Sequence, residues 1–173
     1  MPARIPPRTT TEPVAVEPLN QPAARVLRRF RLVFNTVKTH FRAVEKKAGL
    51  AGAQVWALSV VAAQPGIGVS QLARAMDIHQ STASNLLKPL LERGLVVADR
   101  SGTDRRAVHL VITPQGTRVL KKAPVPFSGV LPQALATLDA ATLARLDRDL
   151  GKLIDVLGAD AHSAGVPLGQ PEP

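Results

Sequence analysis

One short leucine-rich run, HQSTASNLLKPLLERG, carries Gln80, Ser81, Thr82, Ser84, Asn85 and Lys88. On a helix they would point outward or toward its N-terminal end. Asn and Gln carboxamides can pair bidentately with adenine, and a lysine ammonium can reach guanine or a phosphate. Hydroxyls and free backbone N–H groups at a helix start suit phosphate oxygens. Any surface helix also needs a polar face, so this pattern alone does not decide. The next charged run is ADRSGTDRR, where Arg100, Thr103, Asp104, Arg105 and Arg106 surround a Ser-Gly turn. Arginine suits insertion into a narrow minor groove, and Asp104 could pair with a neighbouring arginine and fix its direction.

These residues need elements to position them. Ser70 can cap a short helix over Gln71 to Met76, and it joins the candidates for phosphate contact. Ala73 is small where a second helix must approach closely. Asp77 falls at the turn, where left-handed backbone is tolerated. Ile78 and Ala83 point inward, and Leu86, Leu87, Leu90 and Leu91 extend the buried side of the second helix, with Pro89 an unusual interior residue. Leu95–Val97 and Ala107–Ile112 read as two strands joined by the arginine-rich turn.

Around this module the pattern is helical. A helix from Pro22 to about Lys47 carries Leu27, Phe30, Phe34, Val37, Phe41 and Val44 at alternating spacings of three and four. Gly49 ends it. A second helix over Ala53 to Gln64 stops at Pro65-Gly66. Thr113-Pro114 starts another helix, which Pro124, Pro126 and Pro132 interrupt. The last helix starts at Asp139 as N-cap, with Leu143, Leu146, Leu150, Leu153, Ile154 and Leu157 as its apolar stripe. The stripes of the first and last helices lack a local partner, which suggests that they pack together and against a second copy of the chain.

The expected architecture is therefore mainly α with a small β-hairpin wing. Residues 1–22, rich in Pro and Thr, read as a disordered arm. Residues 23–158 form a single domain: the helix-turn-helix and wing over about 53–113, and dimerisation helices over about 23–48 and 114–158. Residues 159–173 read as a second tail.

Bulk composition narrows the function. The chain has 173 residues, 45% hydrophobic but only 3% aromatic, so its core is expected to be Leu, Val, Ala and Ile. Net charge is +9, which favours a polyanionic partner. There is no cysteine, which removes disulfides, thiolate catalysis and cysteine-based zinc sites. No apolar run reaches the roughly 18 residues that would span a bilayer. The N-terminus lacks the apolar segment of a secretory signal, so the expected compartment is the cytoplasm and no membrane role is implied. An enzyme is not expected. Gly66-Ile67-Gly68 begins like a dinucleotide loop, but Gln71 stands where the third glycine belongs. His40, His79, His109 and His162 lack metal-ligand spacing, so neither metal nor cofactor is implied. The rival classes are a winged-helix module for protein contacts and a nonspecific DNA-binding protein.

Three motifs carry a resemblance over roughly residues 25–157: ERGLV at Glu92 to Val96, D-R-R at Asp104 to Arg106, and LVITPQG at Leu110 to Gly116. With the order of helices around them, they resemble the winged helix-turn-helix of the MarR family of transcriptional regulators. The resemblance implies a homodimer, held by the first and last helices, on pseudo-palindromic double-stranded DNA. It also implies that Arg106 reaches the minor groove and that Asp104 orients it. Many members of that family respond to small phenolic or aromatic effectors between the dimer helices and the DNA-binding lobe. His40 and Trp56 are the candidates for such a site here. The proline-broken segment Pro124–Pro132 departs from the family's long continuous helix.

Overall fold

The computed structural model describes residues 21–99 and 109–169. In chain order it has α1 (Gln21–Ala48), α2 (Gly52–Ala63), α3 (Val69–Ala75), α4 (Gln80–Glu92), β1 (Val96–Asp99), β2 (His109–Ile112), α5 (Pro114–Lys122), α6 (Val130–Ala136), α7 (Ala140–Leu157) and a 3₁₀ turn over Ala161–Gly165. This is the expected mainly helical chain with a small antiparallel hairpin. No helix among the described residues is long and apolar enough to cross a membrane.

Helix α2, GAQVWALSVVAA, has no polar face, and such a helix must be surrounded. Val55, Ala57, Leu58 and Val61 are completely buried at the centre. Packed on them are Val44 and Leu50 from the end of α1 and the loop after it, and Leu72 and Met76 from the α3 region. Leu86, Leu87 and Leu90 of α4 join them, with Leu95, Val96 and Leu110 from the hairpin. The aliphatic core expected from composition is thus the core observed.

The hairpin is antiparallel, with Val96 opposite Ile112 and Asp99 opposite His109. A third strand-like segment joins it. Ile67 bridges Leu110, with Gly66 N donating to Leu110 O at 2.9 Å and Leu110 N to Ile67 O at 3.0 Å. Pro65-Gly66 therefore does more than stop α2, because it turns the chain onto the edge of the sheet. A nitrogen of the His109 ring, Nδ1, donates to the Gly66 carbonyl at 2.9 Å and reinforces that seam.

Helix α5 ends at Lys122, and the segment 123–129 before α6 is irregular, as the prolines require. Helix α6 packs on α1. Helix α7 begins at the expected cap: Asp139 Oδ1 accepts from Thr142 N at 2.9 Å, and Oδ2 accepts from the Thr142 hydroxyl at 2.7 Å. Those bonds favour the ionised carboxylate and hold Asp139 below the usual carboxylate range. None of the α7 side chains is buried.

Two expectations need correction. Ser70 does not cap α3. The helix starts two residues earlier, at Val69, with Gly68 as N-cap, and the Gln71 carboxamide oxygen reaches back to Gly68 N at 3.0 Å. The residues after Gly158 are not a loose tail as far as Gly169. Asp160 caps the 3₁₀ turn through His162 N at 2.9 Å, and the segment returns to the body of the chain. There Gly165 O accepts from His79 N at 3.4 Å and Gly169 O from Ala53 N at 3.3 Å. Its Ala, Ser, Gly and Pro composition gives no periodic signal, while glycine permits the close approach that composition hides.

Candidate nucleic-acid interface

Helices α3 and α4 meet through small residues. Ala73 and Ala83 are both buried, which lets the two backbones approach closely. The connection turns at Asp77, whose φ of 54° makes it the one non-glycine residue with positive φ among those described. Two bonds close the turn: Asp77 N donates to Arg74 O at 3.2 Å, and Ile78 N to Ala73 O at 3.0 Å. Aspartate accepts left-handed backbone at modest cost, so the turn forms where the sequence indicated.

Helix α4 has a buried and an exposed face, and Leu91, expected on the buried side, is instead 38% exposed. Thr82, Ala83, Leu86, Leu87 and Leu90 face the core. Gln80, Ser81, Ser84, Asn85 and Lys88 are exposed along one continuous stripe. Thr82 corrects the outward placement expected for it, being only 9% exposed. It lies four residues before Leu86 and eight before Leu90, so helical geometry stacks all three on one face. That spacing was available in the sequence as the signal. The Ser84 hydroxyl donates to Gln80 O at 2.9 Å, which leaves its oxygen lone pairs outward. His79 is the N-cap, and Ala83 N makes the first bond of the helix, to His79 O at 3.0 Å. The N–H groups of Gln80, Ser81 and Thr82 thus have no partner within the helix and carry its positive pole. Ser70 is exposed in the first turn of α3, on the neighbouring helix.

One joint sets the hairpin relative to α4. Gly94 turns the chain at φ 63°, and Leu95 N returns to Leu90 O at 2.9 Å. From the far end of the hairpin, the Thr113 hydroxyl donates to Gly94 O at 2.8 Å and lies 3.2 Å from Leu95 O. Thr113 N donates to Leu95 O at 3.0 Å. The same hydroxyl oxygen accepts from Gly116 N at 3.1 Å and caps α5. A Cβ on Gly116 would collide with the Leu95 carbonyl, so only glycine lets α5 sit this close. The T-P-Q-G stretch is the splice where α4, the hairpin and α5 are fixed together. Arg100, Thr103, Asp104, Arg105 and Arg106 lie outside the described residues, between the last described pair, Asp99 and His109.

The two effector candidates separate. Trp56 lines an apolar cleft with Val37 and Phe41, residues 128–132 and Leu168. His40 does not line it. Its Nε2–H donates to Pro126 O at 3.1 Å, and its ring meets Phe41 edge-on at 5.7 Å. His40 therefore braces α1 against the proline-rich connection. Sequence reasoning missed Phe41 and Leu168 as lining residues. Phe41 read as one of a helical stripe, and Leu168 fell in the supposed tail.

Residues 48–107 match the family model described as the MarR family. A protein of Thauera aromatica, named for a role as transcriptional regulator of the hcr operon, is 39% identical over 101 residues, which is 58% of this chain and 56% of that protein. The chain thus spans about half the length of that curated relative. Among solved structures, the DNA complex of Staphylococcus aureus MepR has a TM-score of 0.53 at 18% identity, over 80% of this chain and 99% of that one. A MepR-like protein complexed with pseudoligands also reaches 0.53 at 18% identity, over 79% and 97% of the two chains. At such identities the structures establish the shared fold. The helix-turn-helix and the first strand of the hairpin thus match the MarR family, and the chain shares the fold of those solved structures.

Proposed function

We propose that this protein is a transcriptional regulator, a repressor rather than an enzyme, that reads a pseudo-palindromic operator in the cytoplasm as a homodimer. The observation that carries this reading is the exposed stripe Gln80, Ser81, Ser84, Asn85 and Lys88 on α4, backed by a fully buried opposite face. In the major groove, Asn85 and Gln80 have the donor–acceptor pair that adenine requires, and Lys88 supplies charge. Ser81 and the free N–H groups at the helix start suit a phosphate, and Ser70 on α3 suits another. The arginines of the wing, Arg106 foremost and Asp104 beside it, take the adjacent minor groove, with Arg100, Thr103 and Arg105 along the backbone. MepR, of the same fold, has been solved on DNA.

Dimerisation is supported by the exposed apolar surface on the first and last long helices. On α7, Leu143, Leu146, Leu150, Leu153, Ile154 and Leu157 are between 36 and 69% exposed. On α1, Phe34 is 63% exposed and stacks on Phe30 at 6.1 Å. Contiguous apolar surface of this kind marks an association site. A twofold dimer would present two α4 helices to half-sites about 10 base pairs apart. A small aromatic effector fits the chemistry of the cleft lined by Trp56, Phe41 and Val37.

The test is fluorescence anisotropy at two salt concentrations, with DNA from upstream of the protein's own gene and a shuffled duplex. Preference for the upstream duplex by about a thousandfold supports an operator-reading regulator. Equal, steeply salt-dependent binding to both would make it a nonspecific DNA-binding protein. Absence of binding at low salt would overturn the DNA reading in favour of a protein-contact module.

A further inference from the structure

The chain after α7 doubles back and touches two places that matter to the proposed regulator. At one end it meets the start of the recognition helix. Gly165 O accepts from His79 N at 3.4 Å, and the His79 and His162 rings stand 6.5 Å apart. A Cβ at Gly165 would run into the His79 ring, so the ring or the strap would have to shift. At the other end it meets the cleft. Leu168 lies among Val37, Phe41, Trp56 and residues 129–132. Gly169 O bonds Ala53 N at 3.3 Å in the first turn of α2. Gly169 has a φ of 79°, and a Cβ there would come within 2.7 Å of the Phe41 ring. Gly52 and Gly129 crowd the same ring from other sides, so Phe41 has little room to yield.

We propose that residues 159–169 form an autoinhibitory strap, tying the apolar cleft to the N-terminus of the recognition helix in the DNA-free protein. The inference rests on the DNA reading given above. The strap crosses His79, immediately before the free N–H groups of Gln80, Ser81 and Thr82. A phosphate approaching that helix end meets the strap first, because the two share one small region of surface. At the cleft, Leu168 takes part of the apolar wall that a small ligand would otherwise cover. Strap release is therefore favoured by DNA at the helix end, while a ligand in the cleft that contacts Leu168 would favour the seated strap. A species with the strap released binds DNA more tightly, since it no longer gives up the strap contacts on binding. The strap is held by two long backbone bonds and a leucine that is still 53% exposed, so it is weak enough to open.

The single tryptophan of the chain makes the strap measurable without DNA. Trp56 shares the cleft wall with Leu168, so its acrylamide quenching reports whether the strap is seated. The full-length protein is compared with Gly165→Val, which attacks the end at the recognition helix, and Leu168→Ser, which attacks the end at the cleft. Both variants are expected to raise Trp56 quenching at unchanged thermal stability. Both are also expected to tighten binding to the upstream duplex by roughly threefold or more in the anisotropy assay. Unchanged quenching in both variants would overturn the strap as a seated element. Raised quenching with unchanged or weaker DNA affinity would overturn its inhibitory role. If neither the parent nor any variant binds a duplex while Trp56 responds, the DNA reading itself has failed, and the inhibitory role falls with it.

Discussion

Replacing Thr113 with valine tests how the hairpin is locked to α4. The two side chains have nearly the same shape, so the change removes a hydroxyl and little else. That hydroxyl donates to Gly94 O at 2.8 Å, lies 3.2 Å from Leu95 O, and accepts from Gly116 N at 3.1 Å. Loss of an N-cap oxygen costs about 1 kcal/mol. Loss of the donated bond costs a further ~0.5–1 kcal/mol, because Gly94 is exposed and its carbonyl can turn to water. Leu95 O keeps its bond from Thr113 N, so no further orphan is created there. The expected loss is about 1.5–2 kcal/mol in urea unfolding at unchanged m-value, with the midpoint moving and the slope not. Thr117→Val is the internal control. Its hydroxyl only donates to Thr113 O one turn back, on an exposed face, and its loss should stay within about 0.5 kcal/mol. Operator affinity of Thr113→Val, measured well below its unfolding midpoint, should also fall, because α4 and the wing would no longer be held in one relative orientation. A stability loss below about 0.5 kcal/mol, or one equal to that of Thr117→Val, would refute the joint as the element that fixes the hairpin.

Other outcomes follow from the same geometry. Arg106→Ala should weaken operator binding by at least about 1 kcal/mol, whereas Lys88→Ala, if it touches only phosphate, should weaken specific and random DNA alike and flatten the salt slope; anisotropy titrations distinguish the two. Leu146→Asp combined with Leu150→Asp should halve the mass in light scattering and leave the helical circular-dichroism signal intact, and a dimer of unchanged mass would remove α7 from the assembly surface. For Asp139, the folded carboxyl titrates below its ordinary value of 3.8 because it accepts bonds from Thr142. Its contribution to α7 is therefore present above about that pH and lost as pH falls through the lower folded value. The carboxyl resonance of Asp139 should show a midpoint below 3.8, and an ordinary midpoint would mean that the cap is not formed in solution.

The reading head was legible in the sequence because several constraints agree there. Ala73, Asp77 and Ala83 each occupy a position where only a small residue or a tolerant backbone fits, and helical spacing separates Leu86, Leu87 and Leu90 from Ser84, Asn85 and Lys88. Thr82 is polar by type, but its position four before Leu86 places it inside. The cap of α3 was misplaced for a related reason. Ser70 is a good cap by type, but the Gln71 side chain can reach Gly68 N, and that bond fixes the start two residues earlier. The strap was illegible for a different reason: Gly165 and Gly169 contribute through what they lack, and a missing Cβ acquires meaning only when His79 and Phe41 stand beside it.

Helix α1 shows where periodicity stops being informative. Its stripe keeps one spacing throughout, yet Val44 is 2% exposed and Phe34 is 63% exposed. The period identifies the face that must be covered but does not identify what covers it. Within one chain, α2, α5 and α6 pack on α1, and its two buried residues, Val44 and Ala48, both lie near its C-terminal end. Helix α7 carries the argument to its limit, with a complete apolar stripe and no buried side chain. The hydrophobic pattern of this chain thus encodes two surfaces of different kind: a core that closes on α2, and a second set of faces that its own core does not cover. The energetics of the two should separate, with core substitutions at Leu58 or Leu90 unfolding the reading head and charges placed on α7 acting on association alone.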